Sequence, residues 1–358
     1  MFLFRKSHYF ELRSFLIFIL LGFLNIFFHS CKHDSPKQIT NAFYYWRSEF
    51  KLDSTEKSYL ADAGSNLLYI RFFDVVWNVQ LSQPAPDAPL YFAQKPDSFI
   101  NYIPVVFITN ETMQHISTGQ INELANHILE KIESISKNFI KNYHEVQMDC
   151  DWTVGTKDKY FLLLQNLRQQ LHANHIKLSV TVRLHQIKYI ARTGIPPADR
   201  GMLMFYNMGD WKDPQTSNSI YDLRIAAKYI SHLDKYPLPL DIALPLLRWT
   251  IIYRNRKFLT FSNYIAKDEL IHCDFLDQLS DPNKFVVKKD TFAFGCNFRK
   301  NDLLRSETCE AQEILEGEKQ LLQRISNPKI TIALFHLDDQ LLNHYSHAEI
   351  KEIFNHIQ

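Results

Sequence analysis

The stretch Val146-Gln147-Met148-Asp149-Cys150-Asp151-Trp152-Thr153 decides the fold. On an extended strand, successive side chains point to opposite faces. Val146, Met148 and Cys150 then share one face, while Gln147, Asp149 and Asp151 share the other. The apolar set suits a layer of helices, with Cys150 as a small apolar residue. That leaves two carboxylates stacked inward near the C-terminal end of the strand. Interiors seldom hold such a stack without partners. Two like charges at this spacing resist joint ionisation, so one of them is expected to titrate high.

Ser179-Val180-Thr181-Val182-Arg183-Leu184-His185 alternates in the same way. Its polar face offers Arg183 as a cationic partner to the aspartates, with His185 beyond it. Arg71, in the apolar run Leu67 to Phe73, is a third inward candidate by the same rule. Around these runs the chain alternates short apolar stretches with helical patterns, which is the signature of βα units. Strands are expected at Leu67 to Phe73, Tyr102 to Ile108, Glu145 to Asp151, Lys177 to His185, Gly201 to Asn207, Asp241 to Leu246 and Ile330 to Leu337. Helices are expected at Thr118 to Asn142, at Asp158 to Ala173 and from His347 onward.

The fold class is therefore α/β, a (β/α)8 TIM-type barrel over residues 65–358. Residues 31–64 read as a tether and an aromatic lead-in. Residues 250–309, after the seventh strand, are too long for a connection and read as an inserted subdomain with β structure. In such a barrel the working residues cluster beyond the strand C-termini. Tyr206, Asn207, Asp210, Trp211, Arg248, Trp249 and His336 all fall there, with Asp338 close behind.

The ends and the composition bound the function classes. Arg5, Lys6 and Arg13 precede an apolar run from Phe15 to Phe28, too short for a comfortable bilayer span. Phe28-His29-Ser30-Cys31 resembles a lipoprotein processing site, which implies a signal peptide over residues 1–30 and an acylated Cys31. That resemblance places the protein in a bacterial cell envelope, held to the membrane through Cys31. Lys32 is not the Asp that retains such proteins at the inner membrane, so the outer membrane is expected. The formal net charge is +1 with no basic stripe, which argues against nucleic acid. Only nine glycines occur, and neither a phosphate loop nor a Gly-x-Ser-x-Gly elbow is among them. No cofactor is expected. No metal is expected either, since Asp149, Asp151, His185 and His336 lack a metal-ligand spacing. In an oxidising compartment one disulfide among Cys273, Cys296 and Cys309 is an alternative to free thiols.

Several segments together resemble family 18 chitinases. Asp149-Cys150-Asp151-Trp152-Thr153 resembles their fourth-strand Asp-x-x-Asp-x-Asp-x-Glu, and Met204-Phe205-Tyr206-Asn207 their sixth-strand Met-x-Tyr-Asp. Ile242 to Leu246 and Leu334 to Asp339 are similar to their seventh and eighth strands. The resemblance implies a glycan ligand and O-glycosyl hydrolysis, with Asp149 and Asp151 as the carboxylate pair and Tyr206 as an orienting hydroxyl. The departures bear on the same point. Thr153 stands at the acid glutamate, Val146 at the first aspartate, Asn207 at the sixth-strand aspartate and His336 at the sugar-stacking tryptophan. A hydrolase with altered catalytic groups is the first reading. A glycan-binding barrel that does not cleave is the second, and a scaffold lipoprotein displaying the insertion is the third.

Overall fold

The computed structural model describes residues 37–355 apart from residues 141 and 264. The expected signal peptide, Cys31 and residues 32–36 lie outside the described residues. Eight strands close into a barrel in the order Gln38–Tyr45, Leu67–Asn78, Asn101–Ile108, Glu145–Asp149, Lys177–Arg183, Arg200–Met204, Leu240–Pro245 and Lys329–Phe335. Gln38–Tyr45 completes the ring by pairing with both Leu67–Asn78 and Lys329–Phe335. The barrel thus begins earlier than residue 65, and the aromatic lead-in is its first strand. Ala42, Phe43, Tyr44 and Tyr45 are buried on both faces, so this strand carries no alternation to announce it.

Helices cover the outside by burying one stripe each. On Ile121–Ser136 the buried apolar residues are Ile121, Leu124, Ala125, Ile128 and Ile132, the i, i+3, i+4, i+7 spacing of a core-facing helix. Truncating one of these isoleucines to alanine costs about 2–5 kcal/mol. Tyr160, on the helix Lys157–Ala173, is fully buried and close enough to Cys150 for the two to interact electrostatically. Cys150 therefore faces the helix layer, as its place on the strand implies.

The barrel interior is polar from floor to mouth. At the floor Arg200 pairs with Asp241, and Glu145 is pushed up to about 7 by burial. Above it the Tyr44 hydroxyl donates to Gln147 Oε1 (2.6 Å), and Gln147 Nε2 donates to Ser179 Oγ (3.3 Å). The top layer holds Asp149, Thr181 and Arg183. These layers fill the barrel, so ligands are confined to the mouth.

The insertion is a five-stranded antiparallel sheet. Its order is Lys257–Ser262, Arg248–Arg254, Leu303–Thr308, Lys284–Val287, Leu276–Gln278, and it has its own small core around Ile252, Phe285 and Leu304. Cys150, Cys273, Cys296 and Cys309 are all free thiols. Of the two alternatives for Cys273, Cys296 and Cys309, free thiols hold: Cys309 is buried in the main core, while Cys273 and Cys296 pack on the second one.

Candidate functional site

The fourth strand ends at Asp149, two residues earlier than its alternation implies. Asp149 is inside the barrel, 4 % exposed, whereas the Asp151 side chain is 55 % exposed at the mouth. The two carboxylates are therefore set at different depths and not stacked in the interior. Arg183, at the last position of the fifth strand, joins them. Its Nε donates to Asp151 Oδ1, and its Nη2 lies 3.6 Å from Asp149 Oδ1. The Thr181 hydroxyl donates to the same Asp149 oxygen at 2.5 Å. Burial pushes the Asp149 carboxyl up, and the Arg183 guanidinium opposes that rise. Burial disfavours the Arg183 charge, but Asp149 and Asp151 outweigh it and hold the guanidinium above its ordinary value. Arg183 Nη1 is buried and has no hydrogen-bond partner among the described residues.

Tyr206 is buried beside this cluster, and burial raises its phenol well above the ordinary range. It stays a neutral donor. Its ring packs on Phe335 at 5.3 Å, and Phe335 in turn meets Tyr44 at 5.5 Å and Trp46 at 5.4 Å. The inward aromatic of the eighth strand is thus Phe335. His336 follows it through a cis peptide bond, with its imidazole held down to about 4 by burial. Asn207 adopts a left-handed backbone, φ 54°, which Asn tolerates better than most residues.

Two cavities meet at Asp151 and Asn207. One, of about 400 Å³, is lined by Thr153, Arg183, His185, Tyr206 and Tyr229. Burial lowers the His185 imidazole, and Asp151 counters that shift. His185 sits on a helical turn, Leu184–Lys188, because the fifth strand stops at Arg183. The other cavity, of about 440 Å³, is lined by Asp210, Trp211, Trp249, Phe258 and Phe261. Together they form a groove across the strand C-termini.

The aromatic half rests on the inserted sheet. Trp249, Ile251 and Tyr253 share one face of Arg248–Arg254. Across from them, Glu307 pairs with Trp249 and Arg305 with Ile251. The Trp249 indole donates to Glu307 Oε2 at 2.7 Å. Arg305 donates to Glu307 Oε1 at 2.5 Å and to the carbonyls of Asp213 (2.6 Å), Thr216 (3.0 Å) and Trp211 (3.4 Å). The Tyr253 hydroxyl also donates to the Trp211 carbonyl, at 2.7 Å. One buried ion pair therefore positions both tryptophans.

Three expected contact residues lie elsewhere. Arg71 is spent in a two-point ion pair with Asp74, at 2.7 and 2.6 Å. Arg248 donates to the Gln340 carbonyl, and His336 packs beside Phe335. None of the three lines either cavity. Asp149, Asp151, His185 and His336 do not converge as a ligand set. Phe258, Phe261, Tyr229, Arg305 and Glu307 belong to the site but went unread in the sequence. A register shift opposite Ile252/Tyr253 skips Leu259, so Phe261 pairs with Ile251 and Phe258 with Tyr253. That bulge turns two phenylalanines three residues apart onto one face.

The strands and helices define a (β/α)8 barrel with a groove across its strand C-termini. Among solved structures the chain is similar to a chitinase from Chromobacterium violaceum, at 12% identity and TM-score 0.52, covering 88% of this chain and 99% of that one. It is similar to the spore cortex-lytic enzyme of Bacillus megaterium, at 13% identity and TM-score 0.51 over 87% of this chain and 74% of that one. A third likeness is to a catalytic domain of an Ostrinia furnacalis Group II chitinase, solved in complex with penta-N-acetylchitooctaose. It has 8% identity and TM-score 0.50, covering 89% of this chain and 96% of that one. At these identities the likeness is one of fold. No protein-family model and no curated protein matches the chain.

Proposed function

We propose that this protein binds an oligosaccharide across its barrel mouth and does not cleave it. The observation that carries this is Arg183, whose guanidinium lies against both Asp149 and Asp151 in a groove with Thr153 at the acid position. An arginine cannot give up its charge, so both carboxylates are held in one ion-paired cluster and neither stands free as an acid. The Thr153 hydroxyl is 3.3 Å from Thr156 Oγ1 and cannot protonate a leaving oxygen at neutral pH. What remains suits recognition: the Tyr206 donor, exposed polar groups at Asp151 and Asn207, and aromatic faces for sugar rings. The complex of the insect chitinase domain with a chito-oligosaccharide supports a glycan as the ligand class.

The same proposal places the protein in the cell envelope, exported and held by acylated Cys31, at the outer membrane. The n-region, the apolar run and Cys31 support this. Among the described residues no helix is long and apolar enough to cross a membrane. Mass spectrometry of the membrane-extracted protein is expected to find acyl chains on Cys31, and Cys31→Ser to release the protein from membranes.

The test of the glycan reading is titration of an oligosaccharide panel, followed by tryptophan fluorescence. Saturable binding that is lost in Trp211→Leu is expected. Failure of every oligosaccharide to bind would overturn the proposal. A gain-of-function arm sharpens it: Thr153→Glu together with Arg183→Gln is expected to bring measurable hydrolysis to a chain that otherwise has none.

A further inference from the structure

The aromatic half of the groove has an unusual charge balance. Four rings form a connected wall: Trp211 meets Phe258 at 4.5 Å, Phe258 meets Phe261 at 6.5 Å, and Phe261 meets Trp249 at 5.8 Å. Trp211 is 38% exposed and Phe261 54%, so these faces are open to a ligand. Two carboxylates line the same cavity, Asp151 and Asp210, and no lysine, arginine or histidine does. Asp210 accepts one bond, through Oδ1 from the Lys212 backbone N–H at 2.9 Å. The Arg183 guanidinium lies on the other side of Asp151, among the residues of the polar cavity.

Aromatic faces carry negative quadrupole potential and attract ammonium groups, most strongly when carboxylates stand nearby and water is partly excluded. The exposed Lys212 already places its ammonium over the Trp211 ring, 5.0 Å from the centroid. A neutral sugar would stack on these rings but would bring no positive charge to Asp210, whose carboxylate accepts from a backbone N–H, while Asp151 is already paired with Arg183. An anionic sugar would be repelled by the two carboxylates. A sugar with a free amine satisfies both the rings and the Asp210 carboxylate, on the acidic side of the cavity.

We propose that the cavity formed by Trp211, Trp249, Phe258 and Phe261 with Asp151 and Asp210 is an ammonium subsite that takes a hexosamine unit with a free amine. This rests on the glycan-binding reading and names the substrate class within it. The Arg305–Glu307 pair fixes the cage in advance by holding the Trp211 carbonyl and the Trp249 indole. A preformed cage loses little side-chain freedom on binding.

The experiment is a calorimetric titration of the full chain with two β-linked oligomers of equal length, one of glucosamine and one of N-acetylglucosamine, at mildly acidic pH. Free choline and ethanolamine serve as separate arms. The glucosamine oligomer is expected to bind at least about tenfold more tightly, a ratio within reach of one desolvated cation–π contact plus a carboxylate. Added salt should shrink that ratio, and Asp210→Asn should bring it toward one while the melting temperature holds. Equal or tighter binding of the acetylated oligomer would overturn the ammonium subsite and leave glycan binding standing. Binding of choline with neither oligomer bound would overturn the amino-sugar source and the glycan reading together. Binding of no ligand at all would do the same.

Discussion

Two arginines organise the groove, Arg305 buried and Arg183 half-buried, and they are finished differently. Arg305 uses Nε, Nη1 and Nη2 on Glu307 and three backbone carbonyls, with its own side chain 1% exposed. Arg183 meets two carboxylates at unequal depth and keeps Nη1 without a partner among the described residues. A fully satisfied buried ion pair fixes geometry, whereas one left partly satisfied at a cavity wall has bonding capacity to spare. On this contrast Arg305 builds the wall and Arg183 faces the open groove.

The largest effect expected from breaking the contrast is at Arg305. Arg305→Met strands Glu307 in a buried site without its cation, which costs about 3–5 kcal/mol. The midpoint of denaturant unfolding should fall accordingly, and Trp211 fluorescence should shift as its loop loosens. An unchanged midpoint would end the positioning role.

Glu318 shows what a buried carboxylate does with no arginine at all. Neither of its oxygens has a hydrogen-bond partner among the described residues, and burial raises it to about 8. The folded state then holds this proton more tightly than the unfolded state. Stability from this group is full in acid and is lost as pH rises from the ordinary carboxylate range through about 8. Glu318→Gln should be near neutral at pH 5 and should stabilise the protein by about 3–4 kcal/mol well above pH 8. Thermal melts across pH would show it, and parallel curves for the two proteins would contradict it.

Arg183→Met should cost less than Arg305→Met, about 2 kcal/mol at pH 7. Asp149 already titrates high and can take up a proton when its cation is removed, so the deficit should shrink toward pH 5. Oligosaccharide affinity should fall even where stability recovers. The smallest effect belongs to Trp249→Phe, which keeps a ring but removes the donor to Glu307. About 1 kcal/mol of stability and a few-fold loss of affinity are expected.

The part of this arrangement legible in the sequence is the part governed by strand alternation. Gln147, Asp149, Thr181 and Arg183 all face inward as their positions imply, and the (β/α)8 barrel follows from the alternation of strands and helices around them. Where alternation breaks, the reading fails for a physical reason. A register shift between Arg71 and Phe73 accompanies the ion pair of Arg71 with Asp74, three residues on. The bulge at Leu259 hides the shared face of Phe258 and Phe261. The first strand is buried on both sides and so looks like an aromatic cluster. Arg305 and Glu307 act through long-range pairing with Trp249 and Ile251 that no local pattern encodes.

The most direct test of the central claim is prolonged incubation of the protein with N-acetylated and deacetylated oligosaccharides, with products followed by mass spectrometry and binding measured in the same sample. The account predicts saturable binding and an oligosaccharide that keeps its length throughout. Shorter products that vanish in Asp151→Asn would contradict it, and would make Asp151 the acid of a working hydrolase.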